Sequence, residues 1–230
     1  MKVFAIADLH LPGRDAKPME VFGDHWLNHF ERIAEDWAAR VGPDDLVLLP
    51  GDLSWAMRLE DATDDLRAIG DLPGKKAILR GNHDYWWSSI GRVRDALPPG
   101  MFAVQNDCVV FPEFVLAGTR GWIIPDGDAD ADDERIYQRE LLRLEMSLKA
   151  ARSKSADGDL IVMMHYPPRT QAVRETGFTR LLEDYRAKHV VYGHLHGDRL
   201  RAGFRGCANG VQYYLAACDA LGFRLLELPM

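Results

Sequence analysis

The sequence predicts an α/β protein in which two β-sheets are sandwiched between helices. Short apolar runs rich in β-branched residues recur along the chain, and Gly, Pro, Asp or Asn residues bound each of them. Several runs lack alternating polar residues, which is typical of strands with both faces covered. Amphipathic helical patterns lie between many of the runs. This order favours one layered domain over residues 1–230 rather than two halves.

Nine of the apolar runs are expected to form strands. In chain order they cover residues 3–7, 46–49, 77–79, 109–111, 114–117, 160–164, 190–192, 211–215 and 223–228. Helices are expected between several of them. In the segment 25–41, large apolar residues recur every three or four positions, and Gly42-Pro43 ends the pattern. The other predicted helices cover residues 59–69, 88–97, 133–154 and 179–187.

Composition and charge limit the classes of function. The chain has 230 residues, of which 47% are hydrophobic and 27% charged, so it is globular rather than disordered or fibrous. Its formal net charge of −7 argues against a nucleic-acid or membrane partner, since both need a basic face. The three cysteines show no CxxC spacing, and no apolar stretch is long enough for a signal-peptide core or a membrane span. We therefore expect a cytoplasmic protein without a disulfide framework.

Polar residues that can bind metals directly follow five of the predicted strands. The motifs are Asp8-x-His10, Gly51-Asp52, Gly81-Asn82-His83-Asp84, His165 and Gly193-His194-x-His196. Because the carboxyl ends of strands in an α/β sheet meet at one crevice, these side chains are expected to converge. Residues two apart in an extended segment face the same way, so each Asp-x-His or His-x-His pair can direct two ligands at one point.

The predicted crevice holds seven nitrogen and oxygen ligands, namely Asp8, His10, Asp52, Asn82, His165, His194 and His196. That is more than one metal ion normally takes from a protein, and it suits two ions that share a carboxylate. A mixed imidazole and carboxylate shell favours manganese, iron, zinc or cobalt over magnesium or calcium. Two such ions serve the hydrolysis of phosphate esters, because they bind the phosphoryl oxygens and generate a hydroxide at neutral pH.

Taken in order, the five motifs resemble the calcineurin-like metallophosphoesterase superfamily, and are closest to its small bacterial phosphodiesterase and phosphatase members. The resemblance extends from residue 8 to residue 196. It implies a four-layer α/β/β/α sandwich of two mixed β-sheets flanked by helices, the metallo-dependent phosphatase-like fold. It also implies a hydrolase with two divalent or trivalent transition-metal ions that acts on a small phosphomonoester or phosphodiester.

The resemblance assigns a role to each motif residue. One metal would be bound by Asp8, His10 and His196. The other would be bound by Asn82, His165 and His194, with Asp52 as the bridging ligand. The attacking group would be a metal-bound water or hydroxide. His83 would donate a proton to the leaving oxygen or stabilise charge on the phosphoryl group, with Asp84 holding its imidazole in the charged state.

Two other functions stay open, a noncatalytic scaffold or regulatory protein on the same fold and a nuclease. Scaffold relatives typically lose ligands or the histidine that follows the asparagine, and this chain keeps both. A nuclease would need a basic groove, of which the composition gives no sign. A phosphoprotein substrate is disfavoured, because Leu53-Ser54 follows Asp52 where the protein phosphatases carry Asp-Arg-Gly, and Asp84 replaces their Glu. The sequence does not determine the oligomeric state.

Aromatic and basic residues near the motif loops have two interpretations each. Trp55, Trp86, Trp87 and Trp122 could form an aromatic wall for a flat leaving group, but packing of the loops onto the core is favoured. Four arginines could bind a phosphate or form surface ion pairs, namely Arg58, Arg80, Arg120 and Arg169. The Asp-rich stretch 121–134 is either a solvated loop or a mobile lid.

Overall fold

The strands of the protein form two mixed β-sheets. The structure, a computed structural model, describes residues 1–14, 19–125 and 130–230. The strands within these ranges are β1 (Val3–Ala5), β2 (Leu46–Leu49), β3 (Lys75–Ile78), β4 (Met101–Ala103), β5 (Cys108–Val110), β6 (Phe114–Thr119), β7 (Asp159–Met164), β8 (His189–Tyr192), β9 (Gly206–Ala208), β10 (Val211–Leu215) and β11 (Leu226–Leu228).

The strand order brings the ends of the parallel strands together. The five-stranded sheet has the order β11-β1-β2-β3-β4, and the six-stranded sheet has the order β5-β6-β7-β8-β10-β9. Most neighbours are parallel, whereas β11, β5 and β9 pair antiparallel with β1, β6 and β10. The loops that follow the parallel strands therefore collect at one edge of each sheet.

Helices cover the outer face of each sheet. They are α1 (His29–Arg40), α2 (Thr63–Gly70), α3 (Ile90–Ala96), α4 (Ala131–Lys154) and α5 (Gly177–Asp184). Short 3-10 helices lie at Met19–Phe22, Asp24–Trp26 and Gly197–Ala202. Helices α1, α2 and α3 pack on the five-stranded sheet, and α4 and α5 pack on the six-stranded sheet.

Buried apolar side chains pack between the sheets and helices. The side chains of β2 contribute to the packing on both faces of its sheet. Val47 and Leu49 belong to the layer between the five-stranded sheet and its helices, which also contains Ile33 of α1. Leu46 and Leu48 belong to the layer between the two sheets. All four side chains of β2 are fully buried, which explains why this strand lacks alternating polar residues.

The outer layer on the other side follows the same rule. Leu160 and Val162 of β7 belong to an apolar cluster with Leu144 of α4 and Phe178 of α5. Helices therefore enclose the pair of sheets from both sides. The predicted four-layer α/β/β/α sandwich is confirmed.

The structure contains two strands that the sequence prediction lacks, β4 and β9, each three residues long. Strand β9 forms a hairpin with β10 through Asn209-Gly210, whose φ angles are 49° and 81°. Asn-Gly at positive φ is a strong signal for a two-residue hairpin turn, so the sequence does carry the signal for β9. Strand β4 is too short to show a hydrophobic period of its own.

Helix α1 begins at His29 rather than near residue 25. Asn28 has a φ of 51°, in the left-handed region, and the residues before it form the 3-10 helix Asp24–Trp26. A continuous helix cannot pass through a left-handed residue, so the apolar stripe is divided between two elements.

Helix α4 begins slightly earlier than predicted because Asp130 caps it. The Asp130 Oδ1 atom accepts the backbone N–H groups of Asp132 and Asp133 at 2.9 and 2.8 Å. The end of the predicted Asp-rich loop is therefore the first turn of a helix, where acidic side chains are favourable. Residues 126–129 of that loop lie outside the described residues. Among the described helices, none is both long and apolar enough to cross a membrane.

Asp130→Ala tests this cap. The substitution removes the acceptor of two backbone N–H groups, so we expect the free energy of unfolding to fall by about 1 kcal/mol in urea denaturation. Glu134→Ala, an exposed change in the same turn, is the control and should alter it by less than about 0.5 kcal/mol. Equal effects of the two substitutions would show that Asp130 does not cap α4.

Candidate metal centre

The seven candidate ligands lie in five loops, and each loop follows a parallel strand. Backbone hydrogen bonds join these loops in pairs. In the five-stranded sheet, the Asp8 N–H donates to Gly51 O at 3.0 Å, and the His10 N–H donates to Asp52 O at 3.0 Å. The loops of the six-stranded sheet are joined in the same way, so each sheet presents a fixed edge.

A carboxylate connects the two edges. The backbone N–H of His194, which follows β8, donates to both carboxylate oxygens of Asp8, which follows β1, at 3.0 and 3.1 Å. Asp8 is fully buried. Its side chain therefore joins the five-stranded sheet to the six-stranded sheet inside the candidate centre.

Two groups of side chains have ligand atoms within 4.8 Å of one another. The groups are Asp8, His10 and His196, and Asp8, Asp52 and His165. The first group contains the three residues that the sequence predicts for one metal. In the second, Asp52 Oδ2 lies 3.5 Å from His165 Nε2, and it is also 3.9 Å from His10 Nε2 of the first group. The Asp52 carboxylate thus lies near one predicted ligand of each metal.

The predicted ligands of the other metal also lie together. Asn82 Oδ1 is 2.7 Å from His165 Nε2 and 2.9 Å from His194 Nδ1, and the two ring nitrogens are 3.3 Å apart. The Nδ1 atom of His165 faces Pro50 O at 3.0 Å, and a carbonyl oxygen can only accept, so Nδ1 carries the proton. The Nε2 atom therefore presents a lone pair to the oxygens of Asn82 and Asp52, an arrangement that suits a bound cation.

His196 has a partner that the sequence motifs do not include. Its Nδ1 atom lies 2.9 Å from Asp219 Oδ1, and Asp219 also accepts the backbone N–H groups of Gly197 and Ala220. A carboxylate behind a metal-binding imidazole fixes the ring and its tautomer. Asp219 follows β10, the parallel neighbour of β8, so its position after a strand was a signal of the same kind as the five motifs.

Four of the seven candidate ligands have left-handed backbone conformations. The φ angles are 63° for Asp8, 47° for His10, 54° for Asp52 and 72° for His194. Such a conformation costs on the order of 1 kcal/mol or more for a residue with a side chain, and residues of this kind cluster at functional sites. The backbone at these four residues is therefore strained, and the strain accompanies the placement of their side chains in the centre.

Burial determines the charge of most imidazoles in the centre. It lowers the pKa of both His165 and His194 to about 3, and it lowers the pKa of His10 well below the usual value. These rings are neutral near pH 7 and can act as ligands. Burial opposes charge on His196 too, but the carboxylates of Asp8 and Asp219 outweigh it and raise its pKa to about 10.

The charges and free ring nitrogens of the cluster suit bound metal. Burial, together with the charges of Asp84 and Asp8, raises the pKa of Asp52 well above its usual value. Two ring nitrogens, His10 Nδ1 and His196 Nε2, are buried and have no hydrogen-bond partner among the described residues. Cations would offset the carboxylate charges, take a lone pair of the neutral His10 ring and replace the ring proton that His196 holds at its raised pKa.

His83 lies at the entrance to this centre. Its backbone N–H donates to Asp52 Oδ1 at 2.7 Å, and its ring centroid is 5.8 Å from that of His10. The half-buried His83 side chain lines a cavity of about 370 Å³ together with His10, His194 and His196. Arg199, from the 3-10 helix after His196, lines the same cavity and was not among the arginines singled out from the sequence.

The Asp84 carboxylate binds the backbone of two motif loops. Its buried carboxylate accepts five N–H groups, those of Asp52 at 2.8 Å, Leu53 at 2.9 Å, Ser54 at 3.3 Å, Gly81 at 2.7 Å and the Trp86 indole at 2.9 Å. A carboxylate has about four lone-pair sites, so these donors saturate it. Asp84 therefore fixes the loop of Asp52 against the loop of Asn82.

Two motif glycines leave room for the carboxylates. A Cβ atom at Gly81 would overlap the side chain of Asp52, and a Cβ atom at Gly193 would overlap the side chain of Asp8. Neither position could carry a larger residue without displacing a candidate ligand.

The tryptophans divide between the two interpretations. Trp86 and Trp87 are buried in the apolar core, as the packing interpretation predicts. Trp55 instead stacks on the ring of His10, with centroids 4.8 Å apart and planes at 21°. Trp26, which the sequence places only in a helical stripe, joins Trp55 in lining an apolar pocket of about 290 Å³ beside the centre.

The four arginines singled out from the sequence lie in different surroundings. Arg58 is exposed, and Arg169 packs its guanidinium over the ring of Phe204 at 3.8 Å. Arg80 and Arg120 line a separate cavity behind the loop of Asn82.

Comparison with known proteins gives the family. The family model of calcineurin-like phosphoesterases matches residues 1–198. Gene 66 protein of Mycobacterium phage L5 is 32% identical over 78 residues, a match that spans 34% of this chain and 37% of that protein. A protein of unknown function from Aquifex aeolicus, AQ665, has a similar fold, with a TM-score of 0.51 and 14% identity over 98% of this chain and 95% of that one. The family match covers most of the sequence, so the chain belongs to the calcineurin-like phosphoesterases.

Proposed function

We propose that the protein is a metal-dependent phosphohydrolase that cleaves a small phosphomonoester or phosphodiester. The observation that carries this proposal is the convergence of two carboxylates, one amide and four imidazoles at the facing edges of two sheets. The residues that would hold two metals are Asp8, His10, Asp52, Asn82, His165, His194 and His196. When bound, manganese, iron or zinc ions supply Lewis acidity that polarises phosphoryl oxygens and acidifies water.

The other residues at the entrance act on the substrate. A ring nitrogen of His83 donates a proton to the oxygen of the leaving group, since the ring lines the same cavity as the ligand side chains. Arg199 lines that cavity and offers a guanidinium to a phosphoryl oxygen. Asp219 keeps the imidazole of His196 in one orientation.

The neighbouring apolar pocket supports a substrate with an apolar or flat leaving group. Met19, Phe22, Trp26 and Trp55 line the pocket, and His83 forms part of its wall. A leaving group in this pocket would therefore place its oxygen beside the imidazole. Aromatic walls of this kind bind flat groups by stacking and by burial of apolar surface.

We also propose that residues 1–230 form one domain in the cytoplasm. The last strand, β11, pairs with the first, β1, which supports a single folding unit. The three cysteines are free thiols, which supports a reducing compartment.

Asp52→Asn and His83→Ala should separate metal binding from turnover. Asp52→Asn removes a charge between both predicted metal positions, so metal content measured by mass spectrometry and hydrolysis of p-nitrophenyl phosphate should both be lost. His83→Ala should keep the metals and lower kcat by about 10²- to 10⁴-fold. Equal metal loss in the two variants would refute this division of roles.

A fully manganese-loaded wild type that cleaves neither p-nitrophenyl phosphate nor its bis ester would favour the scaffold function.

Gly193→Ala tests the space beside Asp8. The added methyl group would displace the Asp8 carboxylate, so we expect manganese affinity to fall about 10- to 100-fold in calorimetric titration. Gly91→Ala is the matched control, because a Cβ atom there meets nothing within 4 Å and the residue lies in α3. Unchanged manganese affinity in Gly193→Ala would argue against Asp8 as a ligand.

Phe22→Ala tests the leaving-group pocket. Phe22 is 63% exposed and lines the pocket, so its loss should raise the KM for p-nitrophenyl phosphate about 3- to 10-fold while sparing stability and the KM for methyl phosphate. Val21→Ala, at a neighbouring residue that is 75% exposed and does not line the pocket, should change neither KM. A parallel rise in both KM values for Phe22→Ala would contradict a role in leaving-group binding.

A further inference from the structure

Another cavity lies in the region where β3, β6 and α4 meet. It has a volume of about 270 Å³. Its wall comes from the residues around the ends of β3 and β6, the loop after β4 and one face of α4. None of its lining residues lines the cavity at the metal centre. It is therefore a separate site on the molecule.

The lining of this cavity is strongly basic. Arg80, Arg120, Arg139 and Arg143 line it, and Glu140 is the acidic residue in its wall. Four guanidinium groups against one carboxylate leave a local surplus of positive charge, although the chain as a whole has a net charge of −7. Such a surplus in an acidic protein indicates a place for an anion.

The one carboxylate is already engaged. Glu140 is buried and accepts a hydrogen bond from the Thr119 hydroxyl at 2.7 Å. It also accepts one from Arg143 at 2.7 Å and lies 3.6 Å from Arg120. Arg80 and Arg139 have no ion-pair partner within the described ranges. Two guanidinium groups in the wall therefore have no counter-charge from the described protein.

Polar atoms in the same wall are also without partners. Arg80 Nε, Arg120 Nε and Ser88 Oγ are buried and make no hydrogen bond to any described residue. All three residues line the cavity. Buried donors are normally paired, so three unpaired polar atoms on residues of one cavity wall leave that wall short of acceptors.

We propose that this cavity binds a phosphate group. The planar fork of arginine matches phosphate oxygens in pairs, and four arginines suit a dianion better than a single carboxylate. A volume of 270 Å³ lies below the roughly 300–1,000 Å³ of pockets for larger organic ligands, so the cavity fits the phosphate group itself.

The cavity is close to the candidate metal ligands along the chain. Arg80 immediately precedes the Gly81-Asn82 segment. The backbone oxygen of Arg120 accepts the N–H groups of His165 and Tyr166 at 3.1 and 2.9 Å. A phosphate held by these arginines would restrain the segments that carry Asn82 and His165. The site thus provides a physical link between free phosphate or a phosphorylated ligand and the centre.

Calorimetric titration with inorganic phosphate tests the proposal without relying on catalysis. The chain of residues 1–230 is first freed of metal with a chelator, which suppresses phosphate binding at the metal centre. We expect one phosphate per chain, and an affinity about 10-fold weaker in the double variant Arg80→Gln, Arg139→Gln. Arg139→Gln alone, on an exposed part of α4, should weaken binding severalfold and keeps the test valid if the double variant does not fold.

Arg135→Gln is the matched control. Arg135 lies on the same helix one turn before Arg139 and does not line the cavity, so the same loss of charge should leave phosphate affinity within about twofold.

A repeat with adenosine 5′-monophosphate identifies the source of the phosphate. Tighter binding than inorganic phosphate would support a phosphorylated ligand, and equal or weaker binding would support the free anion. No binding of either at about 10 mM, or equal affinity in the wild type and the double variant, would overturn the proposal.

Discussion

Two carboxylates, Asp8 and Asp52, lie buried in one small volume, and the rest of the centre is arranged around them. Like charges repel strongly away from water, so each carboxylate needs donors close by. Asp8 accepts the backbone N–H of His194, and Asp52 accepts the backbone N–H of His83. Each donor belongs to a loop that also carries a candidate ligand. The positions of the carboxylates therefore depend on the ligand loops, and the positions of the loops depend on the carboxylates.

This mutual support depends on the apolar layer between the two sheets. Leu48 of the five-stranded sheet belongs to the same buried cluster as Leu116 and Ile161 of the six-stranded sheet. Close packing in that layer sets the distance between the sheet edges, because interiors of this density resist compression and expansion. The hydrogen bond from His194 to Asp8 spans that distance. The geometry of the centre is thus determined partly by side chains that never contact it.

The sequence was sufficient for the layers and for most of the centre, since strands with two covered faces and polar residues after them leave a clear pattern. It was not sufficient where the deciding interaction is tertiary. Asp219 comes after a predicted strand, as the motif residues do, but its role as the partner of His196 depends on β10 lying beside β8. The role of Asp84 depends on five donors from separate parts of two loops. Trp26 comes to line a pocket because Asn28 interrupts the helix that the apolar spacing predicts.

The C-terminal segment has a consequence for the time course of assembly. The thiol of Cys218 donates to the backbone oxygen of Asp8, 210 positions earlier in the chain, and β11 completes the sheet beside β1. On the ribosome, the residues around Asp8 must therefore wait until a segment 210 positions later has emerged before they acquire these neighbours. Contacts between such distant positions slow folding, because a long loop must close first. The predicted metal ligands, which extend from Asp8 to His196, can accordingly come together only late in the assembly of the protein.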